Sequence, residues 1–353
     1  MTIYADMIIF SLQKAGGISV LWAEFIKRAH RDGLDMQYIL SKGWDSNAVF
    51  RELGHVVSGG NENTLPVQIS RCFPIKRRIS GKSIVHSSYY RISRSLNAIN
   101  IVTVYDFTTN FYGKNGIKKW AHILQKAYAI KHSDGIICIS ESTKRDLLRM
   151  YPKVEPSKIR VIHCGVGDDY FPIECDDVAD SECIVFVGGR GGYKKFDFAI
   201  ELVSRTACSF TIVGGGELSA REKEMLDEVL PGRYTFIEWV PNSELNKIYN
   251  TAICLLYPSE YEGFGIPVLE AMKAGCPVLA HNASSIPEAA GDAGILHNDY
   301  EHENWLNSIK SLSDSIYRGK VIQKGFVHSQ GFTWEKTYKE TIKFYEDVYG
   351  RCE

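Results

Sequence analysis

The residues from Ala252 to Met272 constrain this chain more than any others, because they read as one unit: a buried strand, a tight glycine turn and a helix. Ala252-Ile-Cys-Leu-Leu-Tyr257 is an apolar run of strand length, followed by Pro258-Ser-Glu-Tyr-Glu-Gly-Phe-Gly265. Pro267 suits the first turn of a helix, where its missing N–H costs nothing. Gly263 and Gly265 let the backbone approach a ligand, and the helix start aims N–H groups and a partial positive charge at it. Glu262 and Glu270 stand eight positions apart across the turn, so carboxylates can accept bonds from several hydroxyls while amides face an anion. A polyol carrying a phosphate, such as a sugar nucleotide, needs that combination.

Units of the same kind recur. Residues 6–12, Asp-Met-Ile-Ile-Phe-Ser-Leu, read as a buried first strand, followed by Gly16-Gly17 and an amphipathic helix from Ile18 to Ala29. Strands are expected near 36–41, 83–86, 101–105, 135–139 and 159–162, with helices over 117–132 and from Ser140, where Ser140 or Ser142 can cap the free amides. The pattern restarts at Cys183-Ile-Val-Phe-Val-Gly188, whose glycine loop Gly189-Arg-Gly-Gly-Tyr-Lys-Lys195 carries three cations before a helix from Phe196 to Ser204. Of these, Arg190 as a planar fork and Lys195 as a point charge suit a diphosphate, and Lys194 can trade places with Lys195. Further strands are expected at 210–216, 234–240 and 275–280, helices at 217–229 and 242–250, and then two terminal helices, the second from Phe332-Thr-Trp-Glu335. Repeated strand–helix alternation predicts α/β architecture with parallel sheets covered on both faces, and 353 residues suffice for two domains.

A net charge of −1 excludes strong overall steering toward nucleic acid. Nine scattered cysteines (72, 138, 164, 175, 183, 208, 254, 276, 352) form no Cys-x-x-Cys pair, and Cys138, Cys183 and Cys254 lie within apolar strands. That is how reduced cysteines of a cytoplasmic protein look. No leader-like pattern and no 18-residue apolar run occur, so neither export nor a membrane span is expected. Between Glu62 and Asp106 there is no acidic residue, whereas Arg71, Lys76, Arg77, Arg78, Lys82, Arg91 and Arg94 fall there among Phe73, Ile75, Ile79, Tyr89 and Tyr90. Read as a surface, residues 71–94 would make peripheral contact with anionic lipid on the inner face of the membrane, or meet a lipid-pyrophosphate acceptor. No nucleic-acid motif accompanies the charge.

The string from Pro258 to Met272 resembles the Pro-Ser-x-x-Glu-Gly-Phe-Gly-x-Pro-x-x-Glu-Ala-Met signature of the retaining glycosyltransferases of family 4. The resemblance implies the GT-B fold: two Rossmann-like doubly wound domains facing a central cleft, here residues 1–167 and 168–331, with 332–353 as a helix crossing back to the first domain. It further implies that Glu270 holds ribose hydroxyls and that the amides of Gly263, Phe264 and Gly265 meet hydroxyls of the transferred sugar. Glu262 would lie on the sugar side, and Arg190 and Lys195 would stabilise the leaving diphosphate. Gly16, Gly17, Gly189 and Val240 would line the donor site, Val240 beside the base. Ser284-Ser-Ile-Pro-Glu288 is similar to the family's Gly-x-x-Pro-Glu segment with Ser at the glycine place. Many relatives carry a histidine at the tip of a first-domain strand where this chain has Tyr105, so Tyr105 or Asp106 is expected to contact the sugar instead. His86 ends a neighbouring strand and is an acceptor-side candidate.

The expected activity is transfer of a hexose, mannose as first choice, from a nucleotide-diphosphate donor to a saccharide or lipid-linked saccharide, as in O-antigen assembly. Retention of configuration is implied. No Asp-x-Asp pair suggests a metal site, so no metal or other cofactor is expected. A non-catalytic sugar-nucleotide-binding subunit or a GT-B epimerase are the alternatives.

Overall fold

The computed structural model describes residues 1–53, 57, 66–173 and 183–352; Glu62 and Cys175 lie outside them. The chain forms two compact units, residues 1–165 with 334–353 and residues 166–333. Each is built on a six-stranded parallel sheet.

In the first unit the strands are β1 (Ile3–Asp6), β2 (Met36–Ile39), β3 (Ser83–Ser87), β4 (Ala98–Val104), β5 (Gly135–Cys138) and β6 (Ile159–Val161), in the order β2-β1-β3-β4-β5-β6. The first strand lies earlier than residues 6–12 imply: it ends at Asp6, and Ile9–Leu12 is a short helix. Met7, Ile8, Ile9 and Phe10 are all fully buried, so the apolar run reflects burial, which a strand and a core helix share. The helix Gly17–Arg31 packs Trp22, Phe25 and Ile26 onto the sheet, and the C-terminal helix Trp334–Arg351 adds Tyr338, Phe344 and Tyr345 to the same core. Trp334 is buried, as a packing residue should be. Ser140 caps the helix Glu141–Met150 by accepting the Thr143 N–H at 3.0 Å.

In the second unit the strands are β7 (Cys183–Val187), β8 (Ser209–Val213), β9 (Tyr234–Ile237), β10 (Ala252–Tyr257), β11 (Val278–His281) and β12 (Ile295–His297), in the order β12-β11-β10-β7-β8-β9. Counted within the unit, this is the 3-2-1-4-5-6 order of doubly wound nucleotide-binding sheets, and the connections diverge between β7 and β10. Its core gathers Phe186, Phe196, Phe210, Leu256 and Trp305. Strand β9 stops at Ile237, leaving Val240 in the coil before the helix Asn242–Thr251. Three helices close the chain where two were expected: His302–Ser311, Ser315–Ser329 and Trp334–Arg351. Among the described residues no helix is long and apolar enough to cross a membrane.

Candidate active site

Ligands of doubly wound sheets bind beyond the carboxyl ends of the strands, where the strand order reverses. Here that point lies between β7 and β10, whose following loops carry Gly188–Lys195 and Pro258–Gly265. The Gly-Phe-Gly turn leads into the helix Ile266–Lys273 with Pro267 in its first turn. Gly265 sits at φ 106°, a backbone conformation that L side chains rarely adopt. From the next loop, the Ser284 hydroxyl donates to the Glu262 carbonyl at 2.7 Å, and Ser285 donates to the carbonyls of Glu262 and Phe264 at 2.9 and 3.0 Å. Ser284 adopts φ 56°, which explains why glycine is the usual residue there: the backbone is left-handed, and this chain uses the Ser hydroxyl to brace the turn.

Glu262 and Lys194 form an ion pair of 2.5 Å, with side chains only 11% and 12% exposed. Tyr257 also hydrogen-bonds Glu262, and this burial beside both Glu262 and Glu270 pushes its phenol well above the ordinary range. The Lys194 ammonium lies 5.6 and 5.4 Å from the ring centroids of Tyr193 and Tyr257, so aromatic faces flank it. Lys195 turns elsewhere: it occupies the left-handed N-cap of the helix Phe196–Ser204 and pairs with Glu260 at 2.7 Å, over the Tyr300 ring. The pair is about one third exposed.

Glu270 sits in the helix Ile266–Lys273, with Tyr249 donating to its Oε2 at 3.3 Å and Tyr170 also hydrogen-bonded to it. Desolvation raises its carboxyl from the ordinary 4.5 to about 7, and the two tyrosine bonds only partly offset the effect. A carboxyl poised there, lined by phenols, is built to accept hydroxyl hydrogen bonds once ionised.

Arg190 differs from expectation. Its guanidinium donates to Glu222 at 3.1 Å, to the Gly214 carbonyl at 2.6 Å, and to the Gly216 and Glu217 carbonyls at 2.8 and 2.7 Å. Its side chain is 4% exposed, between the rings of Phe196 and Phe236. It ties the loop after β7 to the glycine run after β8 rather than presenting a fork to solvent. Gly215 must be glycine for this: at φ 81° a Cβ would fall 2.6 Å from Arg190 Nη1 and 2.7 Å from the Gly188 carbonyl. Gly189 lies in the same loop, beside the Arg190 anchor.

The remaining candidates lie in the first unit, and each is accounted for locally. Gly16 and Gly17 open the helix Gly17–Arg31, as expected. Tyr105 is buried, and its hydroxyl accepts from Trp22 Nε1 at 2.8 Å and donates to the Ser88 carbonyl at 3.0 Å. With both bonds made inside the first unit, Tyr105 reads as a residue that holds the core. Asp106 accepts the Thr108 N–H at 2.8 Å, and Lys126, itself buried, donates to the Asp106 carbonyl at 2.8 Å. His86 is buried with Nδ1 against the Tyr345 hydroxyl at 2.5 Å and Nε2 against Thr103 Oγ1 at 2.9 Å. Desolvation lowers its pKa to about 3, so it is a neutral core residue, which removes it as an acceptor-side group. Within the basic stretch, Arg91 is fully buried against Asp6 at 3.0 Å, and Ile75, Ile79 and Tyr90 are buried too, so those four do not belong to a surface. Among the described residues no three His, Cys, Asp or Glu side chains cluster as metal ligands.

The residues sequence reasoning passed over are those that act through others: Ser285, Tyr249, Tyr170, Glu222 and Glu260. Only Ser284 carried a signal, as a non-glycine at a glycine place.

Comparison with known proteins agrees with this architecture. Residues 15–170 match the family described as "Glycosyltransferase Family 4", and residues 177–326 match "Glycosyl transferases group 1". An O-antigen chain mannosyltransferase B from Escherichia coli is 37% identical over 33% of this chain and 30% of its own length. O-antigen chain mannosyltransferase RfbU from Salmonella typhimurium is 25% identical over 68% of this chain and 69% of its own. The matched stretch spans about half or less of the length of the first curated relatives. Among solved structures, the Anabaena protein Alr3699/HepE in complex with UDP-glucose superposes with a TM-score of 0.76 at 13% identity, covering 98% of this chain and 100% of that one. The fold is GT-B, and with both halves matched in sequence the chain belongs to glycosyltransferase family 4.

Proposed function

We propose that this chain transfers a hexosyl group from a nucleotide-diphosphate sugar to a saccharide hydroxyl in the assembly of a surface polysaccharide. The observation that carries the reading is the Lys194–Glu262 pair of 2.5 Å at the point where the strand order reverses. A buried ammonium held by a carboxylate and flanked by two tyrosine rings is pre-aimed positive charge. In a water-poor site such charge stabilises a leaving diphosphate without reorganising. On this geometry Lys194, and not Lys195, is the cation that meets the diphosphate, while Arg190 shapes the loop that carries it. Glu270 takes the ribose hydroxyls, and the turn Gly263–Gly265 lets the backbone approach the sugar.

In the transfer, the bond from the anomeric carbon to the diphosphate oxygen breaks and the acceptor oxygen bonds to the same face. The acceptor's proton passes to the departing phosphate oxygen. Retention follows, with Glu262 supporting the positive charge that develops on the sugar rather than forming a covalent bond to it. Its ion pair with Lys194 favours that role, since a carboxylate so engaged is a weaker nucleophile. Lys194 supplies charge that a metal supplies elsewhere, so the reaction is proposed to run in the presence of EDTA. The names of the O-antigen mannosyltransferase relatives make GDP-mannose the first donor to try, with a lipid-linked saccharide as acceptor.

The test is a panel of UDP-, GDP- and ADP-sugars, following nucleotide release with and without lipid-linked saccharide. Release from one donor, accelerated by acceptor and lost in Glu262→Gln, supports transfer. Tight donor binding with no release from any donor would instead support a non-catalytic sugar-nucleotide-binding subunit.

A further inference from the structure

We propose that Tyr170 is a positioning residue for Glu270, delivered to it by a strap, residues 168–173, that three asparagines of the helix Asn242–Thr251 hold in register. The inference deepens the reading of Glu270 as the carboxylate that takes the ribose hydroxyls, and its bearing on the donor rests on that reading.

The strap lies in the second unit, just after the chain leaves the first at Gly165. It belongs to no strand or helix, so its backbone groups need partners elsewhere. Asn242, Asn246 and Asn250, four residues apart on one helix face, supply them. Asn242 donates to the Asp169 carboxylate at 3.1 Å, and Asn246 Oδ1 accepts the Phe171 N–H at 3.1 Å. Asn250 Oδ1 accepts the Ile173 N–H at 2.7 Å, and its Nδ2 donates to the Phe171 carbonyl at 3.1 Å. Four helical residues rise about 6 Å and two residues of extended chain about 6.6 Å, so residues 169, 171 and 173 meet the asparagines in step. Asparagine is a poor helix former, and three within this one helix cost stability that the strap bonds offset.

Tyr170 stands between two of the held positions. It is buried, its ring centroid lies 6.1 Å from that of Tyr249, and its phenol hydrogen-bonds Glu270. Desolvation raises the Glu270 carboxyl, and of the two phenols that oppose this, Tyr170 has the larger effect. Tyr249 sits on the helix itself, whereas Tyr170 reaches the carboxyl only through the strap. Lys273, at the end of the helix that carries Glu270, donates to Asp168 at 2.7 Å, so the strap is tied to both helices. The titratable groups facing Glu270 are Tyr170, Tyr249 and, from β10, Tyr257. Burial pushes all three phenols up, so they stay neutral while Glu270 titrates.

The experiment is thermal unfolding of the full chain from about pH 5 to about pH 9, with each variant compared with its own Glu270→Gln partner. The pH at which the two diverge reports the ionisation of Glu270. Tyr170→Phe should move that midpoint to higher pH, and Asn250→Ala should move it the same way by less. Affinity for GDP and UDP, read by calorimetric titration near pH 7, should fall about tenfold in Tyr170→Phe and about threefold in Asn250→Ala, recovering as pH rises. The double variant should bind no more weakly than Tyr170→Phe alone, because the asparagine acts through the phenol. Effects that add in full, as a purely stabilising ladder would give, overturn the proposal. So does an unmoved midpoint in Tyr170→Phe; if Glu270→Gln still binds nucleotide weakly, the ribose role stands without the strap. A moved midpoint with unchanged affinity for both nucleotides leaves Tyr170 positioning Glu270 and removes the ribose role instead.

Discussion

Replacing Glu270 with Gln isolates the ionisation of a carboxyl that the second unit holds against its own stability. The glutamine amide oxygen can still accept from the Tyr249 and Tyr170 hydroxyls, so packing and hydrogen bonds change little. What is removed is the need to ionise a desolvated group. The folded value of about 7 lies above the ordinary 4.5, a gap of roughly two and a half units. At about 1.4 kcal/mol per unit that is about 3 kcal/mol. The sign follows from the direction of the shift. Below pH 4.5 both folded and unfolded protein hold the proton, and Glu270 costs nothing. As pH rises toward 7 the unfolded state releases its proton first, so the parent loses stability relative to Glu270→Gln, and above 7 the gap is constant. For a unit of this size the variant should melt roughly 6–12 °C higher at pH 8 and close to the parent at pH 4.5. Donor affinity should move the other way. The parent's affinity should rise with pH up to about 7 and then level off, while the variant binds weakly and without pH dependence. Thermal unfolding at several pH values, with calorimetric titration of the nucleotide sugar, measures both. A variant no more stable than the parent at pH 8, or one that binds donor equally well, refutes the reasoning.

Three further outcomes follow from the contacts described. Lys194→Ala should lower the turnover of nucleotide release about 10²–10³-fold with the fold retained, whereas Lys195→Ala, whose pair with Glu260 is partly solvated, should cost less than about tenfold. Tyr105→Phe strands the buried Trp22 N–H and should reduce stability by about 1–3 kcal/mol in denaturant titration, with donor affinity unchanged. Arg91→Met leaves Asp6 buried without its cation and should reduce stability by about 3–5 kcal/mol, measured the same way.

Much of this was legible because the relevant physics is local. The strand, Gly-Phe-Gly turn and Pro267 helix form a contiguous stretch whose periodicity and turn residues name their own conformations, and the structure has them at Ala252–Tyr257 and Ile266–Lys273. The alternation of strands and helices likewise announced two parallel sheets. What spacing does not carry is the partner of a polar group when that partner is far along the chain. His86 is satisfied by Tyr345, 259 residues later, and Tyr105 by Trp22, 83 residues earlier. Arg190 reads as a free cation until the turn after β8 brings the carbonyls of Gly214, Gly216 and Glu217 to it. Arg91 reads as surface charge until β1 sets Asp6 beside it. The first strand was misplaced for a different reason: a run of buried apolar residues has no period to distinguish strand from helix.

Lys194, Glu262 and Glu270 are proposed to act together on one donor, and a crystal structure of the chain with a nucleotide sugar tests that most directly. The expected complex has a diphosphate oxygen within hydrogen-bonding distance of Lys194 Nζ, the ribose hydroxyls on the Glu270 carboxylate, and the sugar beside Glu262 and the Gly263–Gly265 turn. A nucleotide bound with its diphosphate on Lys195 or Arg190, or with its ribose away from Glu270, would contradict it.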